Sequence, residues 1–233
     1  MCGRYTLATP APGDLRARFP IGESVEVRRR FNVAPGDDVI AVTTNWEGAP
    51  RGELLRWGLV PTWAKQPETG LKMINARVET AAERPAFRRA FDRFRCLIIA
   101  DGFYEWQPAS AATAGRKQPF HITREDGRAF AFAGLWSIWH GQDPPLRTCT
   151  ILTTAANAAI ASLHDRMPII LAPDAEAAWL DSTTSPAELR DVLAGLPAAA
   201  TAQRPVGATV NDARYDGPDC LAAPVADPQA TLF

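Results

Sequence analysis

The chain has 233 residues, of which 46% are hydrophobic and 22% are charged, and its net charge is −1. This length suits one domain with a sizeable core, and the near-neutral charge excludes a globally basic surface that coats nucleic acid. Residues 129–139, the most apolar stretch, are too few to cross a bilayer, and the chain does not begin with a basic segment followed by an apolar one. We expect a cytoplasmic protein with no membrane contact.

The four cysteines are Cys2, Cys96, Cys149 and Cys220, and they show neither metal-ligand spacing nor a disulfide framework. Cys96 and Cys149 lie inside apolar runs, which predicts small buried side chains. The pattern favours a reducing compartment, and we expect no metal ion and no cofactor.

Strands are predicted where runs rich in branched and aromatic side chains are bounded by Gly, Pro or Asp. Such runs occupy residues 38–44, 53–60, 95–106, 119–123, 129–138 and 148–154.

Helical signals are fewer than strand signals. Pro85 opens an amphipathic segment over residues 85–94, and Ser185 with Glu188 forms a capping box before a second helix. Residues 153–164 are predicted to pass from a strand into a short helix. Strands with short helices between them, without regular βαβ alternation, indicate the α+β class with a largely antiparallel sheet, curled or barrel-like.

Three stretches carry no strand or helix signal. Residues 108–117 and 198–203 are small or polar and are predicted to be surface connections, and residues 227–233 a flexible C-terminal tail. We expect a single domain over residues 1–226.

The chain begins MCGRY, so a cysteine directly follows the initiator methionine. If Met1 is removed, Cys2 carries a free α-amine and a thiol on neighbouring carbons, a pair that an internal cysteine never has. The alternative is that Cys2 is simply a buried side chain with no role in a reaction.

Other polar residues that could take part in a reaction lie in apolar surroundings. Asn75 and Arg77 lie in LKMINARVET, and His164 begins HDRMP. Glu105 stands between two aromatic residues in ADGFYEW. Its carboxyl is either exposed at a strand end or held in an aromatic-walled pocket, which would raise its pKa and suit it to acid–base chemistry.

These segments together resemble one family. The resemblance to the SRAP family, the SOS response-associated peptidases, is carried by MCGRY, RFNVAPG (30–36), WGLVPTW (57–63), INARVET (74–80), ADGFYEW (100–106), KQPF (117–120) and HDRMP (164–168). It covers residues 1 to about 226, with departures in loops and in the alanine-rich C-terminal third. It implies the SRAP fold and a nucleoid-associated monomer that senses abasic sites in single-stranded DNA and cross-links to them.

The resemblance implies that Cys2 is the reactive residue. Its α-amine, with a pKa of about 8, would attack C1′ of the open-chain abasic sugar to give a Schiff base. The thiol would then close a thiazolidine ring in an intramolecular step. The ring would protect the lesion from hydrolysis and from β-elimination of the strand.

Further roles carried over from the family fall on matching residues. Asn75 would orient the amine or a sugar hydroxyl, Glu105 would shuttle protons, and His164 would open the sugar ring and serve reversal or lyase chemistry. The expected DNA contacts are phosphate-binding arginines, an apolar wedge and a threonine: Arg4, Arg77, Arg84 and Arg166; Pro35 and Trp63; and Thr154.

The chain ends QATLF, and the spacing of Gln229, Leu232 and Phe233 resembles the peptide by which bacterial replication and repair proteins bind the sliding clamp. Two large apolar residues on a tail would fill a hydrophobic pocket on such a partner. The alternatives are a chance match or a tail that folds back on the domain.

Three rival functions stay open at this stage. An N-terminal-nucleophile glutamine amidotransferase also begins with a processed Cys-Gly, although we find none of that family's other signature segments. A peptidase that uses Cys2, His164 and Glu105 fits the family's name, if only for removal of Met1, which an aminopeptidase could equally perform. A non-covalent single-strand-binding module predicts that Cys2→Ala leaves behaviour on abasic DNA unchanged.

Overall fold

The computed structural model describes residues 2–8, 11–109 and 115–225. The strands are β1 Tyr5–Leu7, β2 Arg30–Val33, β3 Asp38–Thr44, β4 Pro50–Trp57, β5 Asn75–Arg77, β6 Arg95–Ala100, β7 Gly102–Gln107, β8 Gln118–Arg124, β9 Phe130–Trp139, β10 Leu146–Ala155, β11 Arg166–Pro168 and β12 Thr201–Pro205. The α-helices are α1 Pro12–Arg18, α2 Val78–Ala81, α3 Arg88–Arg93, α4 Glu176–Leu180 and α5 Pro186–Val192. Short 3-10 helices occupy Pro67–Lys72, Ala198–Ala200, Ala208–Asn211 and Pro218–Leu221.

Five strands close into a barrel. β4 pairs with β3, β3 with β6, β6 with β9 and β9 with β10, all antiparallel, and β10 returns to β4 in parallel. Farther along β10, β5 pairs with it in parallel and β11 pairs with it antiparallel. The expected α+β class with a barrel-like, largely antiparallel core and short helices is therefore confirmed.

A second, antiparallel sheet packs against the barrel in the order β12-β8-β7-β1-β2. Tyr5 of β1 is buried between the two layers, and its ring lies 5.3 Å from that of Trp57 and 5.8 Å from that of Phe132. Because Cys2 precedes β1 by only three residues, this packing carries it into the junction between sheet and barrel.

The strand predicted over residues 95–106 is in fact two strands, because Asp101 separates β6 from β7. The Asp101 carboxylate accepts hydrogen bonds from Thr6 Oγ1 at 2.5 Å and from the Ala8 amide at 2.8 Å. These bonds to the β1 segment turn the chain out of the barrel and into the second sheet.

Two other predictions of local structure are wrong. Residues 153–164 continue from β10 into turns and not into a helix, because Asn157 Oδ1 accepts from the amides of Ala159 at 3.0 Å and Ile160 at 3.2 Å. Residues 198–203, predicted as a surface connection, contain the start of β12, which pairs with β8. Sheet pairing there overrides a weak local strand propensity.

The predicted capping box is confirmed at α5. The Ser185 hydroxyl accepts from the Glu188 amide at 3.3 Å, and the Glu188 carboxylate accepts from the Ser185 amide at 3.0 Å. The helix predicted over residues 85–94 is shorter, since α3 begins only at Arg88 after a series of turns.

Some expectations concern residues outside the part of the chain that the structure describes. These are all of residues 227–233, with Gln229, Leu232 and Phe233, and residues 110–114 at the centre of residues 108–117. Within the described ranges, no helix combines the length and apolarity needed to span a bilayer. Nor does any group of three or more His, Cys, Asp or Glu side chains there have the geometry of a metal site.

Candidate active site at the N-terminal cysteine

Cys2 is fully buried where the second sheet meets the barrel. The Tyr104 amide donates to the Arg4 carbonyl at 3.0 Å, which continues the β1–β7 pairing toward Cys2. The Cys2 thiol lies 3.6 Å from the same carbonyl oxygen and donates to it. Cys2 also shares a hydrophobic cluster with Leu163 and Met167, which follow β10. Packing therefore holds Cys2 on several sides.

The Cys2 sulfur is a protonated thiol in the resting protein. Burial raises the pKa of this thiol far above its usual value, and the negative charge of Glu105 raises it further. A bond to this sulfur therefore needs a proton acceptor within reach.

Asn75 fixes the backbone of Cys2. It begins β5, opposite Ile151 of β10, and its Nδ2 donates to the Cys2 carbonyl oxygen at 2.7 Å. The indole N–H of Trp57 donates to the Ile74 carbonyl at 2.9 Å and so secures the start of β5. Asn75 Oδ1 is buried without a hydrogen-bond partner among the described residues, which leaves an acceptor for a group that a ligand brings.

Glu105 lies in β7 opposite Phe120 of β8, and only 3% of its surface is exposed. Burial raises the pKa of its carboxyl. Of the two settings that the sequence leaves open, the buried one is confirmed. Side chains alternate along a strand, and Tyr104 and Trp106 pack instead with the C-terminal segment, so these two neighbours of Glu105 in the sequence do not form its pocket.

His164 ends the turns after β10, and 32% of its side chain is exposed. Its Nδ1 lies 2.9 Å from the Arg166 amide nitrogen and 2.7 Å from Asp165 Oδ1. Nδ1 accepts from the amide only when it carries no proton, and it donates to the carboxylate only when it carries one. The two contacts therefore belong to the two protonation states of the ring.

The neutral state of His164 is the favoured one. Partial burial lowers the pKa of His164, the charges of Arg166 and Lys117 lower it further, and Asp165 opposes them. Asp165 also raises the pKa of Glu105, so electrostatic interactions connect His164, Glu105 and Cys2. Sequence reasoning assigned no role to Asp165 or Lys117, although both lie inside the motifs HDRMP and KQPF.

Some of the expected DNA contacts face solvent. Arg77 and Arg84 are exposed and line an open groove of about 500 Å³. Arg77 follows Asn75 by two positions in β5, so the two side chains lie on the same face of the strand. Trp63 is 62% exposed. Pro35 and Thr154 are half-buried.

The other two expected DNA contacts are engaged within the protein. Arg4 Nη1 donates to Asn32 Oδ1 at 3.1 Å and to the Val210 carbonyl at 2.9 Å. Arg166 makes a two-pronged ion pair with Glu79, at 2.6 and 2.9 Å, and donates to the Thr153 carbonyl at 2.6 Å. Their role as phosphate contacts stays a prediction.

Comparison with known proteins identifies the family of this chain. The profile described as SOS response associated peptidase (SRAP) matches residues 1–213. Abasic site processing protein YoaM of Bacillus subtilis is 41% identical over 228 residues, which cover 96% of this chain and 98% of YoaM. Abasic site processing protein YedK of Escherichia coli is 31% identical over 194 residues, 82% of this chain and 83% of YedK. Abasic site processing protein HMCES of Xenopus tropicalis is 30% identical over 272 aligned positions, 96% of this chain and 78% of HMCES.

Solved structures share the fold. A protein from Bacteroides thetaiotaomicron superposes with a TM-score of 0.81 at 23% identity, covering 96% of this chain and 100% of that one. A protein from Bordetella bronchiseptica superposes with a TM-score of 0.72 at 27% identity, covering 88% of this chain and 100% of that one. The chain belongs to the SRAP family, the SOS response associated peptidases.

Proposed function

We propose that this protein senses abasic sites in single-stranded DNA and caps them covalently through Cys2 after Met1 has been removed. The observation that carries the proposal is the grouping of a buried Cys2, the side-chain amide of Asn75 that anchors the Cys2 backbone, and a carboxyl of raised pKa at Glu105. The names of relatives such as YoaM, YedK and HMCES support the same class of substrate.

The chemistry follows from the two nucleophiles of one residue. The free α-amine of Cys2 attacks C1′ of the open-chain sugar to form a carbinolamine. The protonated form of Glu105, which burial favours by raising the pKa of the carboxyl, gives its proton to the departing hydroxyl, which leaves as water with an iminium ion behind. The thiol adds to the iminium carbon and its proton returns to Glu105. The products are a thiazolidine and one water molecule.

Ring closure is fast because sulfur and nitrogen belong to the same residue. Well-oriented intramolecular reactions reach effective molarities of about 10⁵ M or more. Asn75 contributes by holding the Cys2 carbonyl at 2.7 Å, which limits rotation of the residue that carries both nucleophiles. His164, partly exposed at the edge of the cluster, would protonate the sugar ring oxygen and so open the ring to the aldehyde.

Substitution of Cys2 tests the proposal directly. Cys2→Ala should abolish an adduct with abasic single-stranded DNA that survives denaturing electrophoresis. Cys2→Ser should leave only an imine, visible after reduction with borohydride. Cys220→Ala, which alters another buried thiol, is the matched control and should cross-link as the wild type does. An adduct formed by Cys2→Ala at the wild-type rate would overturn the mechanism and favour a different nucleophile.

The α-amine must be free for this reaction, so we also propose that Met1 is absent from the active protein. Intact-mass measurement should show the loss of one methionine. Met1 retained in Glu105→Gln but lost in the wild type, with both made in the same host, would assign the removal to this site. Loss in both would assign it to an aminopeptidase. Strand cleavage by lyase chemistry would appear as a shorter labelled strand in the same assays.

The C-terminal motif supports a second, separate proposal, that Gln229, Leu232 and Phe233 bind the replication sliding clamp and bring the protein to replicating DNA. The spacing Gln-x-x-Leu-Phe is the feature that supports it. A peptide of the last residues should bind the clamp in a titration, and alanine at Leu232 and Phe233 should remove the binding. Equal binding by the alanine peptide would refute it.

A further inference from the structure

Three polar side chains that the Cys2 chemistry does not use are buried together at the second sheet. They are Thr6 of β1, Asp101 between β6 and β7, and His121 of β8, and at most 6% of each is exposed. Thr6 Oγ1 lies 2.5 Å from Asp101 Oδ1 and 3.0 Å from His121 Nε2. One hydroxyl of β1 is therefore joined to residues 95 and 115 positions away, and we call these three residues the Thr6 network.

The direction of both hydrogen bonds follows from the chemistry of the groups. A carboxylate only accepts, so the single hydroxyl proton of Thr6 is donated to Asp101. The Thr6 oxygen is then the acceptor for His121, whose Nε2 must carry a proton. Burial lowers the pKa of His121 to about 4, so the ring is neutral at pH 7 and its one N–H is at Nε2. The chain of donors thus runs from His121 through Thr6 to Asp101.

Gly102 leaves the space that the Thr6 network occupies. It lies in β7 opposite Thr6, between β1 and the strand that carries His121. A Cβ atom at Gly102 would lie 2.2 Å from His121 Nε2 and 2.9 Å from Thr6 Oγ1, closer than Cβ atoms approach in proteins. The imidazole therefore reaches across β7 to β1 because this position has no side chain.

The register of β1 needs such a contact. The strand has three residues, and its pairing with β2 is irregular between Tyr5 and Leu7. A slip of one residue turns every side chain of a strand to the opposite face. Since Cys2 precedes β1 by three residues, a slip would carry its thiol away from Glu105, whose charge acts on that thiol in this structure. The two hydrogen bonds of Thr6 would be lost in the slipped register, so they oppose it.

A second path connects His121 to Cys2. The rings of His121 and Tyr104 lie 5.1 Å apart. The Tyr104 amide donates to the Arg4 carbonyl at 3.0 Å, and the Cys2 thiol donates to the same oxygen at 3.6 Å. His121 therefore contacts both β1, which leads to Cys2, and the residue of β7 that holds the backbone between them.

We propose that the Thr6 network positions Cys2 for its reaction, by fixing the register of β1 and with it the orientation of the two nucleophiles toward the abasic sugar. The proposal rests on the proposed function and adds residues that touch neither the sugar nor the reacting atoms. Reaction rates are sensitive to small displacements of the reacting groups. A network that only stabilised the fold would change the fraction of folded protein and leave the rate of the folded protein unchanged.

Substitution of Thr6 separates these two roles. Thr6→Val keeps the shape and loses both hydrogen bonds, whereas Thr6→Ser keeps the hydroxyl. With protein in saturating excess over abasic oligonucleotide, the first-order adduct rate of Thr6→Val should fall about tenfold, because the nucleophiles are displaced. Its Kd for undamaged single-stranded DNA should not change, and Thr6→Ser should regain most of the rate. Thr150→Val is the matched control, since Thr150 is another buried strand threonine and its hydroxyl has no hydrogen-bond partner among the described residues.

Substitution of His121 tests the network from its other end. Gln can bring a side-chain N–H to the place of Nε2, so His121→Gln should react nearly as the wild type does. His121→Leu has no donor and should be as slow as Thr6→Val. In the double variant Thr6→Val/His121→Leu the loss should be no greater than in either single variant, because both remove the same chain of hydrogen bonds. Losses that multiply would mean that the two residues act separately and would overturn the proposal.

Amide hydrogen exchange supplies a readout that needs no DNA. In Thr6→Val, a peptide over residues 3–8 should exchange faster than in the wild type, whereas a peptide over residues 146–155 of β10 should be unaffected. If the wild type forms no adduct but this local change is seen, the proposed function is rejected and the hold of the network on β1 is supported. Equal acceleration of both peptides, or an unchanged adduct rate, would overturn the proposal. If Thr6→Val does not fold, His121→Leu against His121→Gln makes the same comparison.

Discussion

Asn75 Nδ2 and the Cys2 carbonyl oxygen lie 2.7 Å apart, so a strand that pairs with the barrel holds the residue that leads into the second sheet. The two residues are 73 positions apart in the chain, so the contact depends on the tertiary structure that brings Asn75 of β5 next to the segment before β1. The position of the Cys2 backbone therefore depends on a side chain from a distant part of the chain.

The first prediction concerns this contact. Asn75→Asp keeps the shape of the side chain but replaces the donor by an acceptor, so the bond to Cys2 is lost and a carboxylate faces a carbonyl. The adduct rate should fall about tenfold, which corresponds to the loss of about one hydrogen bond. Single-turnover cross-linking measures it. Asn45→Asp is the control, because Asn45 Oδ1 acts there as an acceptor that Asp retains.

A second prediction concerns catalysis by Glu105. Glu105→Gln retains the shape but has no proton to exchange, so carbinolamine dehydration and ring closure should both slow. General acid–base catalysis contributes about 10²–10⁴-fold in enzymes, and we expect a loss within that range. Slow ring closure leaves an imine that borohydride traps, and slow dehydration lowers the rate at which that imine forms. An unchanged rate would remove Glu105 from the mechanism.

The same substitution should increase stability at neutral and alkaline pH. The folded-state pKa of Glu105 is raised, so the stability that its neutral form provides is complete below the ordinary pKa of 4.5 and is lost as the pH rises through the raised value. Gln cannot ionise and avoids that loss. The difference in unfolding free energy between Glu105→Gln and the wild type should therefore grow from pH 4.5 to pH 8. A constant difference would mean that Glu105 is not desolvated.

The sequence motifs identified the residues of the candidate site, whereas their burial and contacts depend on tertiary structure. Cys2 stands out because it directly follows Met1, and Asn75, Glu105 and His164 stand out because each is a polar residue near apolar ones. The sequence did not predict that Cys2 would be fully buried, because that depends on packing against residues more than 150 positions away, such as Leu163 and Met167.

The boundaries of the strands show the same limit of prediction from sequence. The prediction for residues 38–44 matches β3, because alternating branched side chains between turns specify a strand locally. The break at Asp101 was missed, because the partners of its carboxylate, Thr6 and the Ala8 amide, are nearly a hundred residues distant. β12 was missed because its strand character comes from pairing with β8.

A third prediction concerns His164. Asp165 opposes the lowering of the pKa of His164, so Asp165→Asn should lower that pKa further. If His164 must be protonated to open the sugar ring, the pH at which this step becomes fast should move downward in the variant. Adduct rates on abasic DNA between pH 5 and pH 8 measure the shift, with His164→Ala defining the rate without the group. Coincident profiles for the wild type and Asp165→Asn would exclude His164 as the acid.

A fourth prediction separates stability from DNA contact at Arg166. Its guanidinium joins Glu79 and the Thr153 carbonyl, which ties α2 and β10 to β11. Arg166→Ala should lower the unfolding free energy by about 1–2 kcal/mol, because the hydrogen bonds to Thr153 and Glu79 are lost. Arg166→Lys should recover little, since lysine cannot reproduce the two-pronged contact. A stable variant whose DNA affinity becomes less salt-dependent would favour the phosphate contact instead.

The last prediction concerns the segment that follows β12 and packs beside the site. Asn32, buried in β2, donates through Nδ2 to the carbonyls of Asp212 at 2.9 Å and Tyr215 at 2.8 Å. Its Oδ1 accepts from Arg4 at 3.1 Å, two residues from Cys2. Asn32→Ala removes all three of these part-buried hydrogen bonds, so the unfolding free energy should fall by about 3 kcal/mol.

Greater mobility of this segment should also affect Cys2, since Arg4 loses one of its two side-chain hydrogen bonds. We expect faster proteolysis within residues 206–222 of Asn32→Ala, together with a slower adduct reaction at a temperature where the variant is folded. Gln203→Ala serves as the control, because it removes a single exposed hydrogen bond to the Ala159 carbonyl. If Asn32→Ala loses stability but cross-links at the wild-type rate, the segment supports the fold without positioning Cys2.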